Sequence, residues 1–95
     1  GLGMDVLKEL YEVVLDRISR RSQGSYTAYL ASMGKVYVAR KLGEESLEVI
    51  IASLTESKDR LVSEAVDLLY HLIVLLALND VSIDEVYEEI LRRRR

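Results

Sequence analysis

The sequence predicts an all-α fold, a bundle of about four to five helices that is completed by homodimerisation. The 95 residues contain no proline, tryptophan or phenylalanine and are rich in Ala, Leu, Val, Ile, Glu and Arg. Apolar residues recur at helical spacing, and turn or capping patterns separate these stretches. A chain of this size buries roughly two-thirds of the surface that its unfolded form exposes. A core shared with a second copy would therefore add stability.

The helices are expected in the following order along the chain. The first covers about residues 5–20, where apolar positions repeat every three or four residues. A polar connector follows, and then the short stretch SYTAYLASMG, which Gly34 closes. The second main helix is expected over about 35–54, and the third over about 58–78. Gly43 lies inside the second helix at a cost of about 1 kcal/mol relative to Ala, which indicates close packing there.

The last helix is expected to begin at the sequence SIDE and to run to the C-terminus. Ser82 and Glu85 match a capping box, in which each side chain bonds the other residue's backbone N–H. Asn79 is expected to be the left-handed residue that ends the third helix. No internal repeat or linker divides the chain, so residues 4–95 are expected to form a single domain. Residues 1–3 precede Met4 and are interpreted as additions ahead of the natural start.

Composition excludes several classes of protein. With no cysteine, the chain has neither a disulfide framework nor a thiolate metal site. A net charge of −3 gives no general sign of nucleic-acid binding. The tail Arg92–Arg95 is interpreted as solvated cations that offset the helix dipole, with phosphate contact as the alternative. The apolar run Leu68–Leu78 is too short to span a bilayer, and no signal peptide is visible. We therefore expect a cytoplasmic protein without a membrane partner.

Two clusters of carboxylates carry the functional signal. Glu45 and Glu48 are three residues apart on the second main helix, and Glu64 and Asp67 are three apart on the third. Residues at this spacing project from one side of a helix. The segment between Glu48 and Glu64 is long enough to finish one helix, turn and begin an antiparallel neighbour. The hairpin can therefore bring both pairs face to face.

The later half of the third helix is apolar nearly all round, which predicts burial on most sides. Its stripe of Glu64, Asp67 and His71 is therefore not an ordinary solvent-exposed face. Four carboxylates that converge at about 4–6 Å would repel one another and resist ionisation. A divalent cation resolves this conflict, and magnesium takes oxygen ligands. The alternative is an exposed hairpin with two plain ion pairs, Lys41 with Glu45 and Arg60 with Glu64.

These motifs resemble those of a known superfamily. The pattern Glu44-Glu45-x-x-Glu48 followed by Glu64-x-x-Asp67 resembles the MazG-like all-α nucleotide pyrophosphohydrolases. The stretches GSYTAYL at 24–30, KLGEESLEVIIA at 41–52 and EAVDLLYHLIVLLA at 64–77 resemble the phosphoribosyl-ATP pyrophosphohydrolase family. The resemblance extends from Leu7 to the arginine tail. The family usually has a basic residue directly after GSYTA, where this chain has Tyr29.

The resemblance implies a homodimer that uses Mg²⁺ to hydrolyse 1-(5-phosphoribosyl)-ATP to 1-(5-phosphoribosyl)-AMP and pyrophosphate, the second step of histidine biosynthesis. Water would attack the phosphoanhydride between the α and β phosphates. The implied magnesium ligands are Glu45, Glu48, Glu64 and Asp67. Glu44 is a further catalytic candidate, either as another ligand or as a residue that positions water.

The resemblance also implies a set of residues that bind the nucleotide. These are Gly24, Ser25, Tyr26, Thr27, Lys41 and His71. Each has a purely structural alternative. The GSYT residues could form an ordinary helix N-cap, Lys41 an intrahelical ion pair, and His71 a hydrogen-bonded core contact. We expect His71 to contact the substrate or to support a ligand, but not to bind metal. Tyr70 is interpreted as a core or dimer-interface residue.

Three other functions remain open from the sequence. A house-cleaning nucleotide pyrophosphohydrolase acting on dCTP or a modified nucleotide would share the carboxylates but would not need GSYT. A non-catalytic helical dimerisation module would not bind magnesium. A nucleic-acid role for the arginine tail would show strongly salt-dependent binding.

Overall fold

The computed structural model describes residues 5–94, and within this range the regular structure is entirely α-helical. The five helices are α1 (Val6–Arg20), α2 (Tyr26–Met33), α3 (Lys35–Thr55), α4 (Lys58–Leu78) and α5 (Ile83–Arg93). The prediction of an all-α fold is confirmed, and the predicted helix ends agree to within a residue or two. Our interpretation of residues 1–3 lies outside the described residues.

Side-chain caps define where four of the helices begin. Asp5, Ser25, Ser57 and Ser82 each accept a hydrogen bond from the backbone N–H three residues later, which satisfies one of the free donors at a helix start. At α5 the Ser82 backbone N–H also donates to the Glu85 carboxylate at 2.8 Å. The predicted capping box is therefore confirmed.

The prediction that Asn79 is left-handed is wrong by one residue. Asn79 has φ −102°, whereas the next residue, Asp80, has φ 57°. The Asn79 side-chain amide donates to the Leu75 carbonyl oxygen at 2.8 Å, so Asn79 caps the last turn of α4 from a right-handed backbone. Asp80 is the left-handed residue, and it directly follows the capping residue Asn79, which is the usual position for a left-handed residue at a helix end. The chain changes direction there.

The long helices α3 and α4 form the hairpin that the carboxylate argument requires. Only two residues separate them, and they make the most extensive contact in the described chain, so they run antiparallel. Helix α1 packs on α4, α2 contacts α1, α3 and α4, and α5 packs on α1. All five helices contribute to one core, which contains Tyr11, Val14, Leu30, Val38, Ile73, Val74, Ala77 and Ile83.

Helix α4 is apolar along most of its length. It has 21 residues, and its most apolar 18-residue window has a mean hydropathy of 1.9, so length and composition alone would let it cross a membrane. Our expectation that this segment is too short to span a bilayer considered only the run Leu68–Leu78 at the end of the helix. The helix packs against α1 and α3 and buries Glu64 and His71. Only 28% of that window is buried within the chain, so the expected burial on most sides is not met.

The α3–α4 hairpin exposes a large set of apolar side chains, divided between its two helices. We call this set the hairpin face; it consists of Leu47, Ile50, Ile51 and Leu54 on α3 and Val62, Val66, Leu69 and Leu72 on α4. At about 100° per residue, each set occupies roughly a third of its helix circumference. Gly43 lies in line with the α3 set, one turn earlier. A Cβ built on Gly43 meets no atom within 4 Å, so the close packing expected there is absent among the described residues.

A hydrogen bond between α5 and the start of α1 predicts a measurable effect at alkaline pH. The Tyr87 hydroxyl donates to the Asp5 carboxylate at 2.6 Å, and this bond raises the pKa of Tyr87 to about 12. The unfolded chain releases this proton near the ordinary pKa of 10, so the folded state binds more protons between these two values. The stabilisation is complete below pH 10 and is lost as the pH rises toward 12.

We therefore expect urea unfolding to show a steeper loss of stability between pH 10 and 12 in the wild type than in Tyr87→Phe. Tyr11 also has a raised pKa, because it is buried, and it contributes equally to both curves. Parallel curves for the two proteins over this range would contradict the assignment to Tyr87.

Candidate metal and nucleotide site

Three of the predicted carboxylates meet across the α3–α4 hairpin. Glu45 on α3 and Glu64 and Asp67 on α4 each present an oxygen, and these oxygens all lie within 4.8 Å of one another. The i, i+3 spacing on α4 places Glu64 and Asp67 on one side of the helix, and the antiparallel hairpin brings Glu45 opposite them. Glu64 is buried, Glu45 is half-buried and Asp67 is exposed, so the group opens to solvent on the Asp67 side.

The donor chemistry of this group fits magnesium. All three groups are carboxylates, the hard oxygen ligands that Mg²⁺ prefers, and Mg–O distances are about 2.0–2.1 Å. Two ligands of one ion therefore lie at most about 4.2 Å apart. The observed limit of 4.8 Å requires only a small inward movement of these side chains. Three carboxylate oxygens would fill half of a six-coordinate shell, which would leave room for water and phosphate oxygens.

The other two predicted carboxylates lie outside this group. Glu44 is exposed and accepts a hydrogen bond from the Lys41 ammonium at 3.2 Å. The same contact raises the pKa of Lys41. Glu48 is exposed one turn after Glu45, and the part of the chain that the structure describes does not bring it into the three-carboxylate group. Its role as a magnesium ligand stays a prediction.

Arg60 neutralises the buried member of the group. Its guanidinium donates to the Glu64 carboxylate, and its Nε lies 3.8 Å from Glu56. One of the two plain ion pairs that we considered, Arg60 with Glu64, is therefore present. The other differs, because Lys41 pairs with Glu44 rather than with Glu45. Arg60 is the partner that a buried carboxylate such as Glu64 needs.

His71 is buried and both of its ring nitrogens have protein partners. Nδ1 lies 2.8 Å from the Asp67 carbonyl oxygen, and Nε2 lies 3.1 Å from the Tyr26 hydroxyl. Because a carbonyl only accepts, Nδ1 carries the proton, and in the neutral ring Nε2 accepts from Tyr26. A ligand that contacts the Tyr26 hydroxyl would therefore be linked to His71 through this hydrogen bond. The expectation that His71 supports the site without binding metal stays a prediction.

The GSYT stretch forms the start of α2. Gly24 has a φ of 77°, in the left-handed region that favours glycine, and Ser25 caps the helix through a 3.2 Å bond to the Ala28 N–H. Thr27 is buried, and its hydroxyl bonds the Tyr70 hydroxyl. The helix N-cap that we considered as the structural alternative is present, and the Thr27 hydroxyl holds α2 to α4.

A cavity of about 630 Å³ lies beside α2 on the side of the α1–α2 connection. Gly24, Ser25 and Tyr29 line it together with Arg21. Its volume is in the range of small-molecule pockets. The three-carboxylate group does not line this cavity.

The sequence did not point to a row of aromatic rings beside the site. Tyr26 stacks on Tyr70 at 6.1 Å between ring centroids and on Tyr29 at 6.2 Å. Tyr37 packs edge-on against Tyr29 at 6.1 Å. We call these four residues the tyrosine strip. Their spacing in the sequence gave little signal, because they come from three different helices.

The arginine tail makes local contacts where the structure describes it. Arg92 and Arg93 both pair with Glu89 on α5, and Arg93 Nε lies 2.9 Å from that carboxylate. This arrangement agrees with the interpretation of solvated cations in a last helical turn.

The fold and site together define an all-α protein with an acidic helix hairpin suited to a divalent cation. Comparison with known proteins narrows this class. The family model described as phosphoribosyl-ATP pyrophosphohydrolase matches residues 7–94. A phosphoribosyl-ATP pyrophosphatase of Saccharolobus islandicus is 55% identical, and the match covers 99% of this chain and 100% of the relative. With the same coverage, the corresponding proteins of Saccharolobus solfataricus and Sulfurisphaera tokodaii are 54% and 51% identical.

The chain therefore belongs to the phosphoribosyl-ATP pyrophosphohydrolase family. The resemblance inferred from the motifs is confirmed.

The Arg60–Glu64 pair predicts competition with a cation. In Arg60→Gln, Glu64 loses its partner, so the protein in EDTA should lose about 1 kcal/mol of unfolding free energy, since Arg60 is half-exposed. Added Mg²⁺ should restore this stability, because the cation no longer competes with a guanidinium. We expect the rise in Tm on adding Mg²⁺ to be larger in Arg60→Gln than in the wild type. Arg20→Gln, which breaks the exposed pair with Asp16, is the matched control. An equal rise in all three proteins would contradict the competition.

Proposed function

We propose that this chain hydrolyses 1-(5-phosphoribosyl)-ATP to 1-(5-phosphoribosyl)-AMP and pyrophosphate with the help of Mg²⁺. The observation that carries this proposal is the convergence of Glu45, Glu64 and Asp67 on one hairpin, in a chain that matches its relatives over nearly its whole length. Cytoplasmic action follows from the same assignment, since this is a step of histidine biosynthesis.

Glu45, Glu64 and Asp67 would hold the cation, and Glu48 would join them from the next turn of α3. When bound, Mg²⁺ neutralises phosphate oxygens and stabilises the leaving pyrophosphate. The chain contributes oxygen ligands from two helices that are fixed against each other, so these oxygens need little reorganisation. Any of these carboxylates is chemically able to take the proton from the attacking water.

Lys41 and Glu44 lie beside the cation group on α3. Lys41 is one turn before Glu45, and its ammonium donates to the Glu44 carboxylate at 3.2 Å. A phosphate oxygen could take the place of the Glu44 carboxylate on this ammonium, because both are anionic acceptors. Glu44 would then be free to orient water, as the sequence motif predicts.

We also propose that two copies pair through the hairpin face. The eight side chains of this face are exposed in the single chain, and apolar patches of this kind on small proteins mark interaction sites. Gly43 in line with the α3 set allows a second helix to approach closely, since no Cβ stands in the way. Pairing of two hairpins would give a four-helix arrangement.

The test is pyrophosphate release from phosphoribosyl-ATP, with ATP and dCTP in parallel and with EDTA replacing Mg²⁺. We expect release from phosphoribosyl-ATP that EDTA abolishes. Preference for dCTP would support a house-cleaning enzyme, and no release from any nucleotide would support a non-catalytic helical module.

A further inference from the structure

We propose that the exposed rings of Tyr26 and Tyr29 form a stacking surface for the purine base of the nucleotide. This inference rests on the proposed function and adds a base-binding subsite to it. Within this subsite, Tyr29 stands where the family usually has a basic residue.

Both rings are about half exposed although they belong to a packed row. Tyr26 is 47% exposed and Tyr29 is 48% exposed, and their rings are inclined by only 25° to each other. The other two members of the tyrosine strip, Tyr37 and Tyr70, are half-buried and support them from either end. Half-exposed aromatic side chains in such a row favour a flat aromatic ligand, because every base has a face that stacks.

The rings are held in place before any ligand arrives. The Tyr26 hydroxyl bonds His71, and His71 in turn bonds the Asp67 carbonyl oxygen. Tyr70 bonds Thr27, which fixes the support behind Tyr26. The Arg40 guanidinium lies 5.4 Å from the Tyr37 ring centroid and covers the outer end of the strip. A preorganised surface loses little conformational entropy when a base binds to it.

The strip lies at one end of the acidic group. His71 is one turn after Asp67 on α4, so the Tyr26 hydroxyl is separated from the backbone of a proposed ligand by a single histidine ring. On α3, Tyr37, Lys41 and Glu45 follow at intervals of four residues, which places the lysine between the strip and the carboxylates. Burial raises the pKa of Tyr26, and the charges of Lys41 and Glu45 also act on it.

This order matches the order of groups in the nucleotide. The phosphate chain would lie on Lys41 and the carboxylates, and the base, one sugar away, would reach the tyrosines. The base of phosphoribosyl-ATP carries a second ribosyl group on a ring nitrogen, which makes it electron-poor and favours electron-rich tyrosine faces. Tyr29 also lines the 630 Å³ cavity, so a stacked base has open space on that side for this substituent.

The first test separates base binding from chemistry by steady-state kinetics with phosphoribosyl-ATP. Tyr29→Leu removes the ring from a half-exposed position and should raise KM about tenfold with little change in kcat. Tyr29→Phe restores a stacking face and should recover most of the lost affinity. Tyr87→Phe, on the far helix α5, is the control, and thermal unfolding checks the fold of each variant. Equal KM values for Tyr29→Leu and the control would overturn the proposal.

The second test does not depend on turnover. In tyrosine-ring-labelled protein, AMP should shift the NMR signals of Tyr26 and Tyr29, whereas inorganic pyrophosphate, which has no base, should leave them in place. Unmoved ring signals with AMP would also overturn the stacking surface. If the wild type released no pyrophosphate from any nucleotide, the proposed function would fail, and the AMP titration would still decide the base subsite.

Discussion

Asp67→Asn is expected to lower kcat/KM for phosphoribosyl-ATP by about 10²–10³-fold, the usual effect of removing one preorganised group that stabilises transition-state charge. Asp67 is exposed, so the amide should leave the fold intact. The amide has nearly the same shape as the carboxylate but no charge, which weakens the hold on a divalent cation. Mn²⁺ binding followed by electron paramagnetic resonance should weaken in parallel with turnover.

Asp59→Asn is the matched control for this variant. Asp59 is an exposed aspartate on the same helix, eight residues earlier, or about 12 Å along the axis. It should retain near wild-type turnover and Mn²⁺ binding. If Asp67→Asn behaved like Asp59→Asn, the three-carboxylate group would not be the cation site. Glu48→Gln should lose most turnover according to the sequence motif, but less than Asp67→Asn, because Glu48 lies outside the group in the structure.

Ile50→Lys is expected to convert a dimer into a monomer and to lower the thermal stability at micromolar protein concentration. Ile50 is 53% exposed in the single chain, where a surface lysine would change the unfolding free energy by no more than about 0.5 kcal/mol. In a dimer that buries the hairpin face, the same lysine would place an unpaired charge in an apolar interface, which is strongly unfavourable. Light scattering coupled to size-exclusion chromatography measures the change in mass.

Val13→Lys serves as the comparison, because Val13 on α1 is similarly exposed and lies away from the hairpin face. It should leave mass and stability close to those of the wild type. A wild-type chain that runs as a monomer, or equal behaviour of the two lysine variants, would show that the hairpin face stays open to water.

The secondary structure was largely predictable, because helix formation depends on local pattern. Apolar positions at three- and four-residue spacing located α1 to α5, and side-chain caps such as Ser82 with Glu85 located their starts. The error at Asn79 concerned the choice between two neighbouring residues, both able to adopt a left-handed backbone. That choice depends on which carbonyl oxygens the end of α4 leaves open, and these are set by the path of the chain into α5.

The membership of the acidic group was predictable in part. Helical spacing places Glu64 and Asp67 on one face and a short turn brings α3 alongside, so the sequence was sufficient to foresee a shared site. It did not separate Glu45 from Glu48, since both lie on the same broad side of α3. The rotation of α3 about its own axis, which the packing of Val38 and Ala52 sets, brings Glu45 into the group and leaves Glu48 at its edge.

Without coordinates, the amino-acid sequence settles the helical class, the family and the carboxylates available to a cation, because each depends on residue spacing within short stretches of the chain. The three-dimensional packing decides which of those carboxylates meet, that Arg60 takes Glu64 while Lys41 takes Glu44, and that His71 faces Tyr26. It also assembles the tyrosine strip from three helices. The physical reason is that contacts between helices depend on their relative rotation and crossing, and the burial of the whole core fixes these together.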